Sequence, residues 1–189
     1  MPLKITTKKK ERQLSLKALA ICAFFHMQDN KALDIKPETV ELICQNAQLI
    51  VDYSAKNQLN PELILSLMWS ESRFEPHTVS NHGACGMMQI IPKWSDNLTC
   101  AQLQIPIINI AEGTRQLNFW INNYGKGSTQ QGLCAYAAGY KCKVSTKAKK
   151  YAKNVLHRSD QLRQKLNKVM MIIAKNHSFR QVLIQKYKL

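Results

Sequence analysis

The chain has 189 residues, of which 45% are hydrophobic and 21% charged, and its formal net charge is +15. This composition fills a real core and excludes a chain that is disordered throughout. Seven Gly and six Pro exclude collagen-like or low-complexity architecture, and no apolar run is long enough to cross a bilayer as a helix.

The charge is unevenly spread. Residues 1–36 carry a net +5, residues 37–140 a net −3 and residues 141–189 a net +13. A mildly acidic globular middle between basic ends is expected. Basic ends suit polyanions such as nucleic acid, anionic lipid or anionic cell wall. A solvated basic helix with no partner gives the same pattern.

In chain order, the first feature is a basic stretch containing Lys4, Lys8, Lys9, Lys10, Arg12 and Lys17, followed by the apolar run Ala18 to Phe25. The run resembles a short secretory hydrophobic region, but no small-x-small cleavage site follows it. An amphipathic helix docked on the domain fits it equally.

Pro37 followed by Glu38 signals a helix start, because Pro fits the first turn and Glu suits the positive end of the dipole. Val40, Ile43, Cys44, Ala47, Ile50 and Val51 then fall at helical spacing. Asn60-Pro61-Glu62 predicts a second helix, capped by Asn60 and running to about Ser72. Residues 77–86 are turn-rich, and any strand is expected there. A short helical turn is expected before Pro92. Helices are predicted from Asn109 to Tyr124, stopped by Gly125, and from Gln130 to Ala138, stopped by Gly139. From Val144 onward the basic segment reads as helix, with Leu162, Leu166, Val169, Met170 and Ile173 on one face. The fold class is therefore mainly α, with at most a small β element.

Six cysteines form no CxxC pair and no zinc-site spacing. An even count suits disulfides in an oxidising compartment, with 15 possible pairings. Six reduced, buried cysteines are the other reading. Cys134 and Cys142 flank the turn at Gly139, so a bridge between them is geometrically reasonable.

Glu71 is the first candidate for chemistry. It ends an apolar helix between Trp69 and Phe74, where desolvation would raise its pKa and make it a proton donor near neutral pH. Glu71-Ser72-Arg73-Phe74-Glu75-Pro76, then Val79-Ser80, then Gly83 to Pro92 (GACGMMQIIP) resemble the lytic transglycosylases with a goose-lysozyme-like catalytic domain. Their pattern reads roughly ES-x-F-x-P, S, then GA-x-G-L-M-Q-[LI]-x-P. Asn109-Ile110 with Gly113, Ala135 to Gly139 (AYAAG), and Tyr151 with Val155-Leu156 follow in the same order. The resemblance covers about residues 40–158.

The resemblance implies a lysozyme-like helical catalytic domain over residues 37–160; outside it, charge and periodicity predict a basic extension at 1–36 and a basic amphipathic helix at 161–189. It implies that Glu71 is the sole acid/base, that Met88 and Gln89 line the sugar cleft, that Ser80 orients the N-acetyl group or the glutamate, and that Tyr136 and Tyr151 face the glutamate and the cleft. Met87 replaces the usual Leu and Ala137 replaces the usual Asn. The implied reaction is cleavage of the β-1,4 bond between N-acetylmuramic acid and N-acetylglucosamine, with a 1,6-anhydro product and no metal or cofactor. The alternatives are a muramidase, for which Glu75, Asp96 and Glu112 are the nearby second carboxylates, and an inactive polyanion-binding component of a virion or secretion system. The implied partners are peptidoglycan strands and a larger virion or secretion assembly; the basic, apolar-striped C-terminal tail itself suggests an anionic membrane or wall surface. The implied location is the periplasm or the virion.

Overall fold

A computed structural model describes residues 15–28 and 35–186. The basic cluster Lys4 to Arg12 lies outside the described residues. Eight α-helices are described: α1 (Leu16–Met27), α2 (Pro37–Lys56), α3 (Pro61–Ser72), α4 (Cys100–Leu103), α5 (Pro106–Phe119), α6 (Thr129–Ala138), α7 (Thr146–Lys175) and α8 (His177–Lys186). Among the described residues the only extended pairings are two isolated bridges, Val79 with Cys85 and Cys85 with Ile90. The mainly α class expected from the sequence is what the chain adopts.

Helix α2 starts at Pro37 with Glu38 in its first turn and buries Val40, Ile43, Cys44, Ala47 and Ile50. Helix α3 begins at Pro61 after Asn60, although the Asn60 side chain makes no capping bond. Every residue of α3 from Glu62 to Met68 is buried, so α3 is a central helix. The buried Glu62 is neutralised by Lys17 of α1.

Helix α1 docks on the domain, as one of the two sequence readings expects, but it is not amphipathic. Ala18 to Phe25 are all buried, on every face. The helix packs on α2, α7 and α8, and Cys22 is bonded to Cys44 of α2. A helix enclosed by several neighbours needs apolar residues all round.

All six cysteines are paired: Cys22–Cys44, Cys85–Cys100 and Cys134–Cys142. The last is the bridge expected across the Gly139 turn.

Helix α7 is 30 residues long, about 45 Å at 1.5 Å per residue. Its buried face steps by four and three through Ala148, Ala152, Val155, Ser159, Leu162, Leu166, Val169 and Ile173. Residue 160 therefore falls inside one continuous helix, which packs on α3, α6 and α1. The apolar stripe beyond it is covered by protein. Asn176 ends α7, because its Oδ1 accepts from Phe179 N at 3.0 Å and restarts the chain as α8. That break was not expected from the sequence.

Smaller differences are local. The expected turn before Pro92 is a hydrogen-bonded turn over residues 86–89, and a 3₁₀ turn, Pro92–Trp94, begins at the proline itself, since Pro suits a first helical position. The helix expected from Asn109 starts at Pro106 and becomes a π turn over Trp120–Tyr124. Helix α4 went unread, although Thr99 and Gln102 form a capping box, and that spacing is visible in the sequence.

Candidate active site

Glu71 lies in the last turn of α3, which ends on two consecutive residues in the left-handed region, Arg73 (φ 57) and Phe74 (φ 67). Neither is glycine, and such residues cost of order 1–3 kcal/mol each. The reversal drives Phe74 into the core, edge-on to Phe25 at 5.6 Å. Ser72 Oγ lies 2.8 Å from the Met87 carbonyl and ties the helix end to the following turn. Glu71 is thereby left half-buried between α3 and α7.

Tyr151, in the second turn of α7, donates its hydroxyl to Glu71 Oε1. Burial lifts the Glu71 carboxyl from the usual range to about 7, with the Tyr151 bond pulling the other way. Burial, then the charge of Glu71, push the Tyr151 hydroxyl upward, so it remains a protonated donor. Burial and the same charge also raise Tyr136 well above its ordinary value. Tyr136, on α6, donates to the Met88 carbonyl at 2.7 Å.

The turn over residues 85–90 is held by Asn109. Its Oδ1 accepts from Met88 N at 2.7 Å, and its Nδ2 donates to the carbonyls of Cys85 and Leu103 at 3.0 and 2.6 Å. This closeness dictates two glycines. A methyl at Gly86 (φ 80) would sit 2.2 Å from Asn109 Nδ2 and from the Leu103 carbonyl. A methyl at Gly113 would sit 2.5 Å from Met88 Sδ.

The structure places the other three expected residues as follows. The Met88 side chain is fully buried against Gly113, so it is a core residue, and only its backbone reaches Tyr136. The Gln89 amide folds back onto the carbonyls of Thr78 and Gly86, at 3.1 and 3.0 Å. The Ser80 hydroxyl accepts from the backbone of His82 and Ala84 and shapes that turn. Glu71, Tyr151 and Tyr136 are the side chains brought together, with Ala137 exposed beside them on α6.

The other carboxylates are occupied. Glu75 accepts from Thr39 Oγ1 at 3.2 Å and lies 3.8 Å from Lys36 Nζ. Asp96 pairs with Arg115 at 3.3 Å. Glu112 is gripped by Arg115 through two bonds of 2.8 and 2.6 Å and by Gln116. Burial opposes its ionisation, but these bonds outweigh it and hold its pKa below the ordinary value.

Sequence reasoning missed a cationic clamp. Arg73 and Arg158 lie 3.3 and 3.8 Å from the centroid of the Trp69 ring, and Arg158 also donates to Ser70 Oγ at 2.7 Å. Two guanidinium groups stacked on one indole at the C-terminal end of α3 suit the helix dipole and fix that end against α7. The i, i+4 spacing of Trp69 and Arg73 was readable; the arrival of Arg158 from α7 was not.

Residues 48–158 match the Transglycosylase SLT domain family. A protein of Enterobacteria phage PRD1 named a transglycosylase is 34% identical over 86 residues, which make up 46% of this chain and 32% of the relative. The match thus takes in about a third of that relative. Among solved structures, an inactive variant of the lytic transglycosylase Slt from Pseudomonas aeruginosa aligns with a TM-score of 0.57 at 22% identity, over 62% of this chain and 24% of that one. This likeness shows the fold, a lysozyme-like, mainly α arrangement.

Proposed function

This chain belongs to the Transglycosylase SLT domain family, and we propose that it is a lytic transglycosylase acting on peptidoglycan. It cleaves the β-1,4 bond between N-acetylmuramic acid and N-acetylglucosamine. The observation that carries this reading is Glu71: half-buried, poised at about 7, and bonded to Tyr151 rather than to a cation. A carboxyl with that pKa is populated both as acid and as base near neutral pH, which a single-residue acid/base mechanism needs.

The state of Glu71 supports the following proposed steps. Protonated Glu71 gives its proton to the glycosidic oxygen, the bond to C1 of the muramic sugar breaks, and positive charge develops at C1 and the ring oxygen. The Glu71 carboxylate then takes the proton of the muramic O6 hydroxyl as O6 bonds to C1. The glucosamine leaves with a free hydroxyl, the muramic end closes as the 1,6-anhydro sugar, and Glu71 regains its proton. Tyr151 holds one carboxylate oxygen throughout, leaving the other to carry the proton. Tyr136 braces the 85–90 turn through Met88. A hydrolase needs a second carboxylate for water or for covalent attack; Glu75 and Asp96 sit beside cations, and Glu112 is held by Arg115. The name of the phage PRD1 relative supports the same reaction.

The chain is proposed to open the wall locally, in the periplasm or carried by a virion, where oxidising conditions suit three disulfides. Mass spectrometry of digested peptidoglycan tests the reaction. Anhydro-muramic ends, one water lighter than reducing ends, are expected. Mostly reducing ends would make the enzyme a muramidase, and no release of either kind would leave an inactive binding component.

A further inference from the structure

A cavity of about 700 Å³ opens on α6, bounded by the π turn Trp120–Tyr124, the 3₁₀ turn Gly139–Lys143 and the start of α7. Its α6 wall is made by Gln130, Gln131 and Cys134. At 100° per residue these lie roughly 120–160° around the helix from Tyr136. The cavity therefore faces away from the Glu71 site, and the mechanism above makes no use of it.

Three kinds of group line it. Lys126, Lys143 and Lys149 are exposed, and among the described residues none of them makes an ion pair. No Asp or Glu occurs between Glu112 and Asp160, while nine Lys and Arg do, so the surrounding chain supplies no neutralising charge. The amides of Asn123, Gln130 and Gln131 offer donors and acceptors together. Tyr140 is 76% exposed, yet its ring is held edge-on by Trp120 at 5.6 Å and Tyr124 at 6.0 Å. A large aromatic left in water but fixed by two others is a preformed platform, ordered before any ligand arrives.

We propose that this cavity is a second, non-catalytic site for an acidic glycan, bound through a sugar ring on Tyr140, hydroxyl or acetamido groups on the amides, and a carboxylate on the lysines. The identification of that glycan as a peptidoglycan strand rests on the function proposed above. An enzyme holding a second strand here stays on an insoluble polymer between cleavage events. The combination of amides and a fixed tyrosine favours a glycan over a bare polyanion, for which charge alone suffices.

The test uses the full chain. Pelleting with insoluble peptidoglycan is measured in a Glu71→Gln background, where the wall stays intact. Tyr140→Ala, and separately Lys126→Glu with Lys143→Glu, are expected to weaken pelleting roughly tenfold. In the otherwise native enzyme the same changes should leave turnover of a short soluble muropeptide within about twofold, as neither set touches the Glu71 site. Unchanged pelleting for both variants overturns the site. Loss with the lysine changes alone, together with displacement by DNA as effective as by glycan fragments, overturns the glycan and leaves a polyanion patch. Failure of the proposed reaction is read separately, from the products of the unaltered enzyme.

Discussion

Glu71 and Tyr151 are 80 residues apart in sequence and share one hydrogen bond, and the chemistry proposed here depends on that pair. Glu71→Gln should lower turnover by about 10²–10⁴-fold or more, since one group serves as acid and as base. The same change should stabilise the fold. The carboxyl titrates near 4.5 when unfolded and at about 7 when folded. Below 4.5 both states are protonated and burial costs nothing extra; as pH rises toward 7 the unfolded state ionises first and wild-type stability falls. Melting curves should therefore coincide below pH 4.5 and separate above it, by about 3 kcal/mol at pH 8. Coincident curves at pH 8 would mean an exposed carboxylate. Tyr151→Phe removes the hydrogen bond that lowers the Glu71 pKa, so the alkaline limb of its kcat/KM profile should move to higher pH. A limb that stays in place would show that Tyr151 does not set the proton affinity.

At the scale of elements, the turn over residues 85–90 is the most sharply specified. Gly86→Ala forces a left-handed alanine against the Leu103 carbonyl and Asn109. A loss of roughly 3 kcal/mol is expected, about 6–12 °C in Tm for a chain of this size. Helix α7 makes a second case. Leu166 is fully buried on its inner face, so Leu166→Ala should cost about 2–5 kcal/mol. A tail that only touched a membrane surface would lose nothing in solution, and chemical denaturation distinguishes the two. The period of α7 was legible because its stripe follows 3.6 residues per turn. Its break at Asn176 was not, because a single asparagine inside a helical pattern does not announce that its side chain will cap the next helix.

For the whole molecule, the Cys22–Cys44 bond joins α1 to the remainder. Replacing both with Ala should lower stability by about 2–4 kcal/mol, and reduction should lower the Tm of the native chain but not of that variant beyond the effect of the other two bridges. Because α1 lies among α2, α7 and α8, its removal would strip cover from the core rather than trim an extension. Residues 161–186 likewise cover α1, so a chain stopped at residue 160 is expected to aggregate, which solubility and gel filtration would show.

Local features can be read from the order of residues alone. Pro37 and Pro61 start helices because the missing N–H is harmless in a first turn. The spaced motifs around Glu71, Gly86, Asn109 and Tyr136 identify the family by their order and spacing, although the contacts that require Gly86 and Asn109 join separate segments. An apolar stripe states that a face is buried, but it does not name the partner. It took the folded chain to show that Ala18 to Phe25 pack as a buried helix, that Met88 turns inward onto Gly113, that Arg158 crosses from α7 to Trp69, and that Cys22 meets Cys44 and Cys85 meets Cys100. Burial follows from the identity of one residue, whereas pairing depends on chain geometry summed over scores of residues, and that sum is not written at any single position.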